Sequence, residues 1–369
     1  MPDRDAPTVM TLDAGGTNFV FCALRSGRAE IESFALPAHA DDLQQSLDTL
    51  IAGFKRVRAG LSTSPAAISF AFPGPADYAR GIIRNPPNLP AWRDVALGPF
   101  LEDTFGLPTF INNDGDLFAY GEAKAGLLPY VNGLLETAGS PKRFRNLLGV
   151  TIGTGFGGGV VIDGKLLAGD NSSAGEVWLL RHKLRRDWNV EEGISVRAIR
   201  RGYAAQSNIG LDEAPDPAAI CAIAEGSQRG NRAAALESFR QLGESAGDAI
   251  AQMVTMLDGL VVVGGGITGA HRHFLPALVE EMNGEYRNPS GQCFRRLVQQ
   301  AFNLEDPEQR DLFLRGSVRE LEIPRIGRRI RFDDLPRVGV GLSRLGTSEA
   351  IAIGAYAFAL SRLEGGDAR

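Results

Sequence analysis

Two glycine-rich turns carry residue types that suit phosphate binding. The first covers residues 13–17 (DAGGT), and the second covers residues 153–159 (GTGFGGG). Glycines let backbone N–H groups approach phosphate oxygens closely, and the hydroxyls of Thr17 and Thr154 add donors. Because the motif occurs twice, the sequence predicts a polyphosphate ligand.

Asp13 opens the first turn, directly after the apolar run 8–12. Its carboxylate would lie close enough to the phosphates to hold Mg²⁺, which favours carboxylate and water oxygens. The alternative is that Asp13 only caps the turn and that the glycines serve hairpin geometry. The duplication of the motif favours the phosphate interpretation.

The glycines also match the dinucleotide pattern G-x-G-x-x-G twice, from Gly153 and from Gly264. The first match runs into an apolar strand pattern instead of the helix whose amino terminus would hold a pyrophosphate. The second match lies between a strand and a helix, but its ribose-binding acid would fall in residues 283–288, which do not resemble a strand end. The pattern therefore does not favour a Rossmann dehydrogenase.

The segments around the two turns repeat one pattern. In each, an apolar run enters the glycines and a second one returns, ending at Ser26-Gly27 or at Asp163-Gly164. The repeat predicts two related α/β halves, each opening on a β-hairpin, that face one another across a cleft. Further predicted strands cover 67–72, 107–114 and 260–263, and predicted helices cover 40–58, 117–125, 231–257, a stretch ending at 282, and 348–360.

Composition excludes several classes of protein. The chain is 44% hydrophobic over 369 residues, which suits a large core and about two domains. Its net charge of -5 argues against duplex DNA or an anionic membrane as partner, since both require a basic surface. The amino terminus lacks the apolar run of a signal peptide, and the run 350–360 is about half a membrane span. Three widely spaced cysteines fit a reducing compartment, so we expect a soluble cytoplasmic protein.

The ordered set of motifs resembles the ROK sugar kinases, which belong to the actin-like ATPase superfamily. Beyond the two phosphate motifs, the resemblance rests on residues 73–75 (PGP), 88–92 (NLPAW), 113–114 (ND), 174–176 (AGE), 263–266 (VGGG) and 345–347 (LGT). These matches span nearly the whole chain in order. They imply a two-lobed actin-like ATPase (ribonuclease H-like) α/β fold, with ATP and a sugar bound in the interlobe cleft.

The resemblance also implies where the lobes and the site residues lie. The first lobe would comprise residues 1–118 plus 346–369, and the second would comprise residues 119–345. Asp114 would be the general base that takes a proton from the attacking sugar hydroxyl. The implied sugar-binding residues are Asn88, Asn113, Glu176 and Glu191. The implied ATP-binding residues are Gly15, Gly16, Thr17, Gly153, Thr154, Gly155, Gly264, Gly265 and Gly266.

Chemistry agrees with these assignments. Phosphoryl transfer needs positioning, a metal that neutralises developing charge, and one carboxylate near the nucleophile. For Glu191, a solvated helix face beside Glu192 is an equal alternative, and Asp116 is more simply a helix amino-terminal charge. We expect an ATP-dependent hexose kinase of the glucokinase or hexokinase kind, with Mg²⁺ as cofactor and, by resemblance, a homodimer.

The chain departs from the family pattern after Glu176. Most ROK kinases carry Gly-His there and a cysteine-rich zinc loop downstream, whereas this chain has Trp178-Leu179 and no cysteine in residues 181–189. We therefore expect no zinc, and we expect Trp178 and Leu179 to order the 176–191 segment by packing. A lone His182 among basic neighbours is more typical of a surface residue than of a ligand.

Three other regions are less informative. His271 and His273 would share a face only in an extended segment, and a predicted helix there argues against a site formed by the two. Insertions relative to a typical member lie near 127–145 and 284–331. The arginine-rich stretch 315–337 is by default a solvated face.

Two rival functions remain. ROK transcription repressors carry a DNA-binding module ahead of the first phosphate motif, and only twelve residues precede Asp13, so we expect no such module. A catalytically inactive sugar-binding sensor would be expected to lose Asp114 or a phosphate glycine, and all of these residues are present.

Overall fold

The computed structural model describes residues 6–365. The signal-peptide assessment and the two ends of the predicted first lobe therefore lie partly outside the described residues.

The strands and helices follow one another as α/β alternation. The strands are β1 (Thr8–Ala14), β2 (Asn18–Arg25), β3 (Arg28–Ala29), β4 (Phe34–Pro37), β5 (Ala67–Ala71), β6 (Ala76–Asp77), β7 (Ile82–Ile83), β8 (Thr109–Asn112), β9 (Leu147–Ile152), β10 (Phe156–Ile162), β11 (Lys165–Leu166), β12 (Leu260–Gly264), β13 (Glu285–Arg287), β14 (Cys293–Arg295), β15 (Gln300–Asn303), β16 (Val318–Glu322), β17 (Arg329–Asp333) and β18 (Arg337–Leu342). The helices are α1 (Leu43–Gly60), α2 (Leu97–Phe105), α3 (Asp114–Lys124), α4 (Leu127–Thr137), α5 (Val196–Ser207), α6 (Pro217–Glu225), α7 (Arg232–Leu257), α8 (His271–Met282), α9 (Pro307–Arg315) and α10 (Thr347–Glu364).

Two compact units make up the described chain. The first contains residues up to 126 together with 165–175 and the segment from 345, and the second contains 127–164 and 176–344. The predicted boundary after residue 118 falls inside α3, and a continuous hydrogen-bonded helix stays with one unit. The first unit therefore reaches the end of α3 and also takes in 165–175.

The first unit is built on a sheet in the order β3-β2-β1-β5-β8, with β4 also paired to β2. Strands β5 and β8 run parallel to β1, so the three carboxyl ends lie at one edge. Aromatic rings fill the core on one face, where Phe21 meets Phe54 edge to face at 5.3 Å. On α3 and α10 a Cβ at Gly121 would overlap the Ala350 carbonyl, so the missing side chain lets these helices cross closely.

The second unit repeats this plan. Its strands are neighbours in the order β10-β9-β12-β18-β15, and β9, β12, β18 and β15 are parallel. Helices α7 and α8 approach closely at Gly243 and Gly247, where a Cβ would overlap the carbonyls of Phe274 and Leu278. The repeat inferred from the two hairpins thus extends to helix pairs that approach closely at glycines.

The regions predicted as insertions lie in the second unit, and the later one contributes β15 to its central sheet beside β18. Residues 127–145 contain α4, and the later insertion forms the ribbons β13–β14 and β16–β17, with β15 and α9 between them. The default of a solvated arginine-rich face is wrong for Arg337, which is 1% exposed. Its guanidinium pairs with Asp333 at 2.7 Å and stacks on Phe313, and such pairing is what permits a buried charge.

Among residues 6–365, the helices are each too short or too polar to cross a membrane.

Candidate functional site

The first glycine turn lies at the carboxyl edge of the first sheet. Asp13 is the penultimate residue of β1, opposite Val20 of β2, and the Gly15 N–H donates to the Asn18 carbonyl at 3.0 Å to close the turn. Gly16 and Thr17 complete the turn, where both are exposed. Since β5 and β8 end at the same edge, residues that follow those strands lie on the same side as Asp13.

Asp114 follows β8 as the first residue of α3. The sequence placed it at the end of a strand, but the strand stops at Asn112 and the helix begins two residues later. Asn113 is the helix cap, because its Oδ1 accepts the Asp116 N–H at 2.6 Å. Asp116 lies in the first helical turn, where a negative charge interacts favourably with the helix dipole, and its side chain is buried.

The carboxylates of Asp13 and Asp114 interact. Burial, and then the charge on Asp114, raises the pKa of Asp13. Like charges on neighbouring carboxylates disfavour ionisation, and a dication beside them would remove that repulsion. The donor set at this edge of the sheet therefore fits Mg²⁺.

The segment that carries Asn88 is anchored beside the same turn. Trp92 is fully buried, and its ring lies 4.8 Å from that of Phe72. Asn88 itself is exposed, and a Cβ built on Gly16 would lie 3.1 Å from the Asn88 carbonyl oxygen. The first unit thus brings the predicted residues Asn88, Gly16, Asp13 and Asp114 into one region.

The second glycine turn is shorter than its sequence motif. It consists of Gly153, Thr154 and Gly155, closed by the Gly153 N–H donating to the Gly155 carbonyl at 2.9 Å. The remaining glycines of the motif lie within β10, where they pair with β9. Only the first three residues can therefore form a phosphate cradle.

Glu191 is bound to this second turn. Its Oε2 accepts the Phe156 N–H at 3.0 Å, and a Cβ on Gly155 would lie 2.5 Å from the same oxygen. Arg197 completes the arrangement, since it donates to Glu191 Oε1 at 2.9 Å and to the Thr154 carbonyl at 3.0 Å. The alternative interpretation, that Glu191 lies on a solvated helix face, does not fit these contacts.

Glu192 forms ion pairs with Arg197 and with a second arginine. It pairs with Arg197 at 3.1 Å and with Arg201 at 3.0 Å. Burial alone would raise the pKa of Glu192, but hydrogen bonds from Arg197 and Arg201 lower it. The hydrogen bonds of Arg197 to Glu191 and Glu192 in turn raise the pKa of Arg197. The sequence did not single out Arg197, and only the ExxxxxR spacing from Glu191 was visible in it.

A third glycine segment meets the second turn. Gly264 ends β12 beside Thr151 of β9, and Gly265 has φ +93° with its missing side chain directed at the Ile152 carbonyl. A Cβ there would overlap that carbonyl, which is why glycine is needed. At Gly266 an added Cβ would meet nothing within 4 Å. The second unit therefore presents two glycine segments at one sheet edge.

The segment after Glu176 is ordered differently from the prediction. Trp178 is 36% exposed and Leu179 is 59% exposed, so the prediction that they anchor this segment is wrong. A 3₁₀ turn directs Val177 into the core instead and turns its two successors outward. Trp178 still contacts a predicted sugar-binding residue, because its Nε1–H donates to Glu176 Oε2 at 2.5 Å.

Residues 181–189 are held by charged and aromatic groups. The Trp188 ring makes cation–π contacts with the guanidinium groups of Arg185, at 5.3 Å, and Arg201, at 4.9 Å. His182 meets the same ring edge-on at 5.8 Å. Lys183 pairs with glutamates of α7 and α8 at 2.6 and 2.9 Å. These contacts hold the stretch in place without any cysteine in it.

Proteins of known structure share this fold. The chain is similar to a glucokinase from Parabacteroides distasonis, with 50% identity and a TM-score of 0.90 over 98% of this chain and 99% of that one. It also has the fold of a ROK glucokinase from Streptomyces griseus solved with glucose and AMPPNP, at 20% identity and a TM-score of 0.60, over 95% and 98% of the two chains.

Curated sequences match over shorter stretches. A glucokinase from Halalkalibacterium halodurans is 29% identical over 174 residues, which is 45% of this chain and 47% of the relative. The chain spans about half the length of the curated relatives it matches. The ROK family model matches residues 9–302. Together with the sheet-edge glycine turns and the fold of actin-like ATPases, this match shows that the chain belongs to the ROK family.

Proposed function

We propose that this protein is an ATP-dependent sugar kinase that phosphorylates a hydroxyl group of a hexose. The observation that carries the proposal is the interaction of Asp114, at the start of α3, with Asp13 beside the first glycine turn. A base and a metal-binding carboxylate at one sheet edge are what phosphoryl transfer to an alcohol requires.

Asp114 acts as the general base in this proposal. It accepts the proton of the attacking sugar hydroxyl while that oxygen forms its bond to the γ-phosphorus of ATP. Its Oδ1 accepts the Gly115 N–H at 2.9 Å, which fixes the carboxylate at the amino terminus of α3. A fixed base needs no reorganisation when the proton moves.

Asp13 would hold Mg²⁺ through water, and the ion would neutralise charge on the phosphate oxygens. The glycine turns supply backbone N–H groups to those oxygens, with Thr17 and Thr154 adding hydroxyl donors. Gly264, Gly265 and Gly266 line the same edge as the second turn and suit the remainder of the nucleotide.

The sugar is bound by amide and carboxylate side chains, namely Asn88, Asn113, Glu176 and Glu191. Each such group can pair with a hydroxyl, and a site built on several of them rejects analogues that lack one. Glucose is the first candidate, since the relative at 50% identity is a glucokinase. The family resemblance further supports a homodimer.

A coupled assay of ADP release across a panel of hexoses tests the function. Glucose, mannose, fructose, allose and the N-acetylated hexosamines should be compared with wild type, Asp114→Asn and the control Asp103→Asn, an exposed carboxylate on α2. We expect Asp114→Asn to lower turnover by about 10² to 10⁴ with sugar and ATP binding retained, because an amide cannot accept the proton. Asp103→Asn should match wild type.

Two results would contradict the proposal. Wild-type turnover in Asp114→Asn would remove the assigned base. Tight sugar binding with no sugar-dependent ADP release in the wild type would identify the inactive sensor instead.

A further inference from the structure

A second cluster of chemically competent side chains lies on helices that carry neither glycine turn. Cys221 and Glu225 are four residues apart on α6, so they share one face of that helix. His273 lies in the first turn of α8. One donor atom from each of the three side chains lies within 4.8 Å of the others, and the Cys221 Sγ is 4.0 Å from Glu225 Oε1.

The surroundings fix two of the three groups. The His273 ring packs on the Phe239 ring of α7 at 5.7 Å, which restricts how the imidazole can turn. Cys221 is a free thiol that packs against the core of the second unit, where its neighbours Ile220 and Ile223 are buried. Glu225 is exposed and can swing toward the other two.

We propose that Cys221, Glu225 and His273 form a binding site for a late first-row divalent cation, with Zn²⁺ as its representative. Thiolate, imidazole and carboxylate are the ligands that zinc takes, whereas Mg²⁺ and Ca²⁺ prefer oxygen ligands alone. Three protein ligands leave one tetrahedral position for water.

The geometry requires only a small adjustment. Tetrahedral zinc with bonds of about 2.0 to 2.3 Å places its ligand atoms about 3.4 to 3.8 Å apart. Side-chain rotations on α6 can close the remaining gap, since Glu225 is exposed. Burial, and then the charge of Glu225, raises the pKa of Cys221, so the thiol is protonated before the cation binds. As the sulfur–metal bond forms, the thiol releases its proton to solvent.

The consequence is a cross-link between α6 and α8, which both pack against α7. The expectation of no zinc rested on the missing cysteine loop, and it could not detect ligands about fifty residues apart in sequence. The site is independent of the proposed kinase activity, since none of its residues belongs to the sheet edges described above.

Titration of the chelator-treated full chain with Co²⁺ tests the proposal. We expect one ion per chain, a near-ultraviolet sulfur-to-cobalt absorption band and a rise in melting temperature. Zn²⁺ should displace the Co²⁺, because zinc binds such a site more tightly. The absorption band should then disappear, since zinc has a filled d shell.

Matched variants locate the ligands. Cys221→Ser should abolish the band, and His273→Gln should weaken Co²⁺ binding by about tenfold or more on the scale of altered metal sites. Cys293→Ser removes an exposed thiol outside the cluster, and it should leave both the absorption band and the affinity for Co²⁺ unchanged. Absence of the absorption band in the wild type, or its persistence in Cys221→Ser, would overturn the assignment. If His273→Gln melts at the wild-type temperature without metal, its weaker Co²⁺ binding is not due to a folding defect.

Discussion

The two glycine turns differ in how they are held. The first carries its own acid, Asp13, and its close contacts are with backbone, at the carbonyls of Asn18 and Asn88. The second follows a strand that ends in Ile152 with no acid, and it is held by the side chains of Glu191 and Arg197. Uncharged backbone thus positions the first turn, whereas the second has its own backbone hydrogen bonds at Gly153 and an ion pair in addition.

This difference has a functional consequence. Glu191 lies two residues beyond the cysteine-free stretch 181–189, and it contacts the turn proposed to hold ATP. A change in the 176–191 segment, which is proposed to contribute to sugar binding, would therefore reach the second glycine turn through Glu191. The first turn has no such charged link among the contacts described.

The largest effect should come from Gly155→Val. The added Cβ would lie 2.5 Å from Glu191 Oε2, which Arg197 holds in place, so the turn and the glutamate must both move. Overpacking of this kind costs about 1–3 kcal/mol, which corresponds to roughly 5- to 150-fold in affinity. We expect calorimetry to show weaker binding of ATP and also of the sugar.

Gly133→Ala on α4 serves as the control, since its added Cβ meets nothing within 4 Å. If Gly155→Val lost ATP binding while sugar binding stayed at the wild-type level, the link through Glu191 would be refuted. Circular dichroism melting of both variants separates this result from unfolding.

Arg197→Met should have the next largest effect. It removes the donor that joins Glu191 to the Thr154 carbonyl, and hydrogen bonds to charged groups contribute about 1.5–3 kcal/mol when sheltered. Because Arg197 is about half exposed, we expect a smaller rise, roughly five- to tenfold in KM for ATP and for sugar. Arg197→Lys keeps the charge but lacks the several donors of the guanidinium, so its KM values should lie between those of the wild type and Arg197→Met. An unaltered KM for ATP in Arg197→Met would show that the Arg197–Glu191 ion pair does not position the second turn.

A comparison of Trp188→Ala with Trp178→Ala sharpens the account of the segment that carries Glu191. Trp188 contacts two guanidinium groups, each worth about 0.5–1 kcal/mol, and also shields apolar surface. We expect Trp188→Ala to lower the free energy of unfolding by about 2 kcal/mol in urea, and Trp178→Ala by less than about 1 kcal/mol. A larger loss of stability in Trp178→Ala than in Trp188→Ala would instead support the prediction that Trp178 anchors the segment.

The smallest effect concerns pH. Burial, followed by the charges of Arg201 and Arg185, lowers the pKa of His182, against the weaker opposing influence of Asp248 and Glu192. The unfolded chain then takes up the proton first, near pH 6.5, so the His182 contribution to stability is present above about pH 6.5 and is lost as pH falls below it. We expect His182→Gln to lose less stability than wild type between about pH 7 and pH 5.5; equal losses in urea unfolding would exclude this role for His182.

The sequence by itself determined the family, the two hairpins and the order of most elements. Strands β1 and β9 and their glycine turns are local features, in which an apolar run, a glycine cluster and a returning run lie within about twenty residues. The phosphate residues predicted at the two turns are part of these local motifs, so they could be identified without knowing the path of the chain. Asp114 lies outside both hairpins, and its role came from the resemblance to the ROK family.

Only the tertiary structure decided what holds the site together. Of two tryptophans ten residues apart, Trp188 is packed and Trp178 is exposed, because a 3₁₀ turn at 177–179 directs Val177 inward. The contact of Glu191 with Phe156 spans thirty-five residues, and the Cys221–His273 pair spans two helices. Such contacts depend on how separate elements pack, and pairing over long stretches of chain leaves no period or spacing in the sequence.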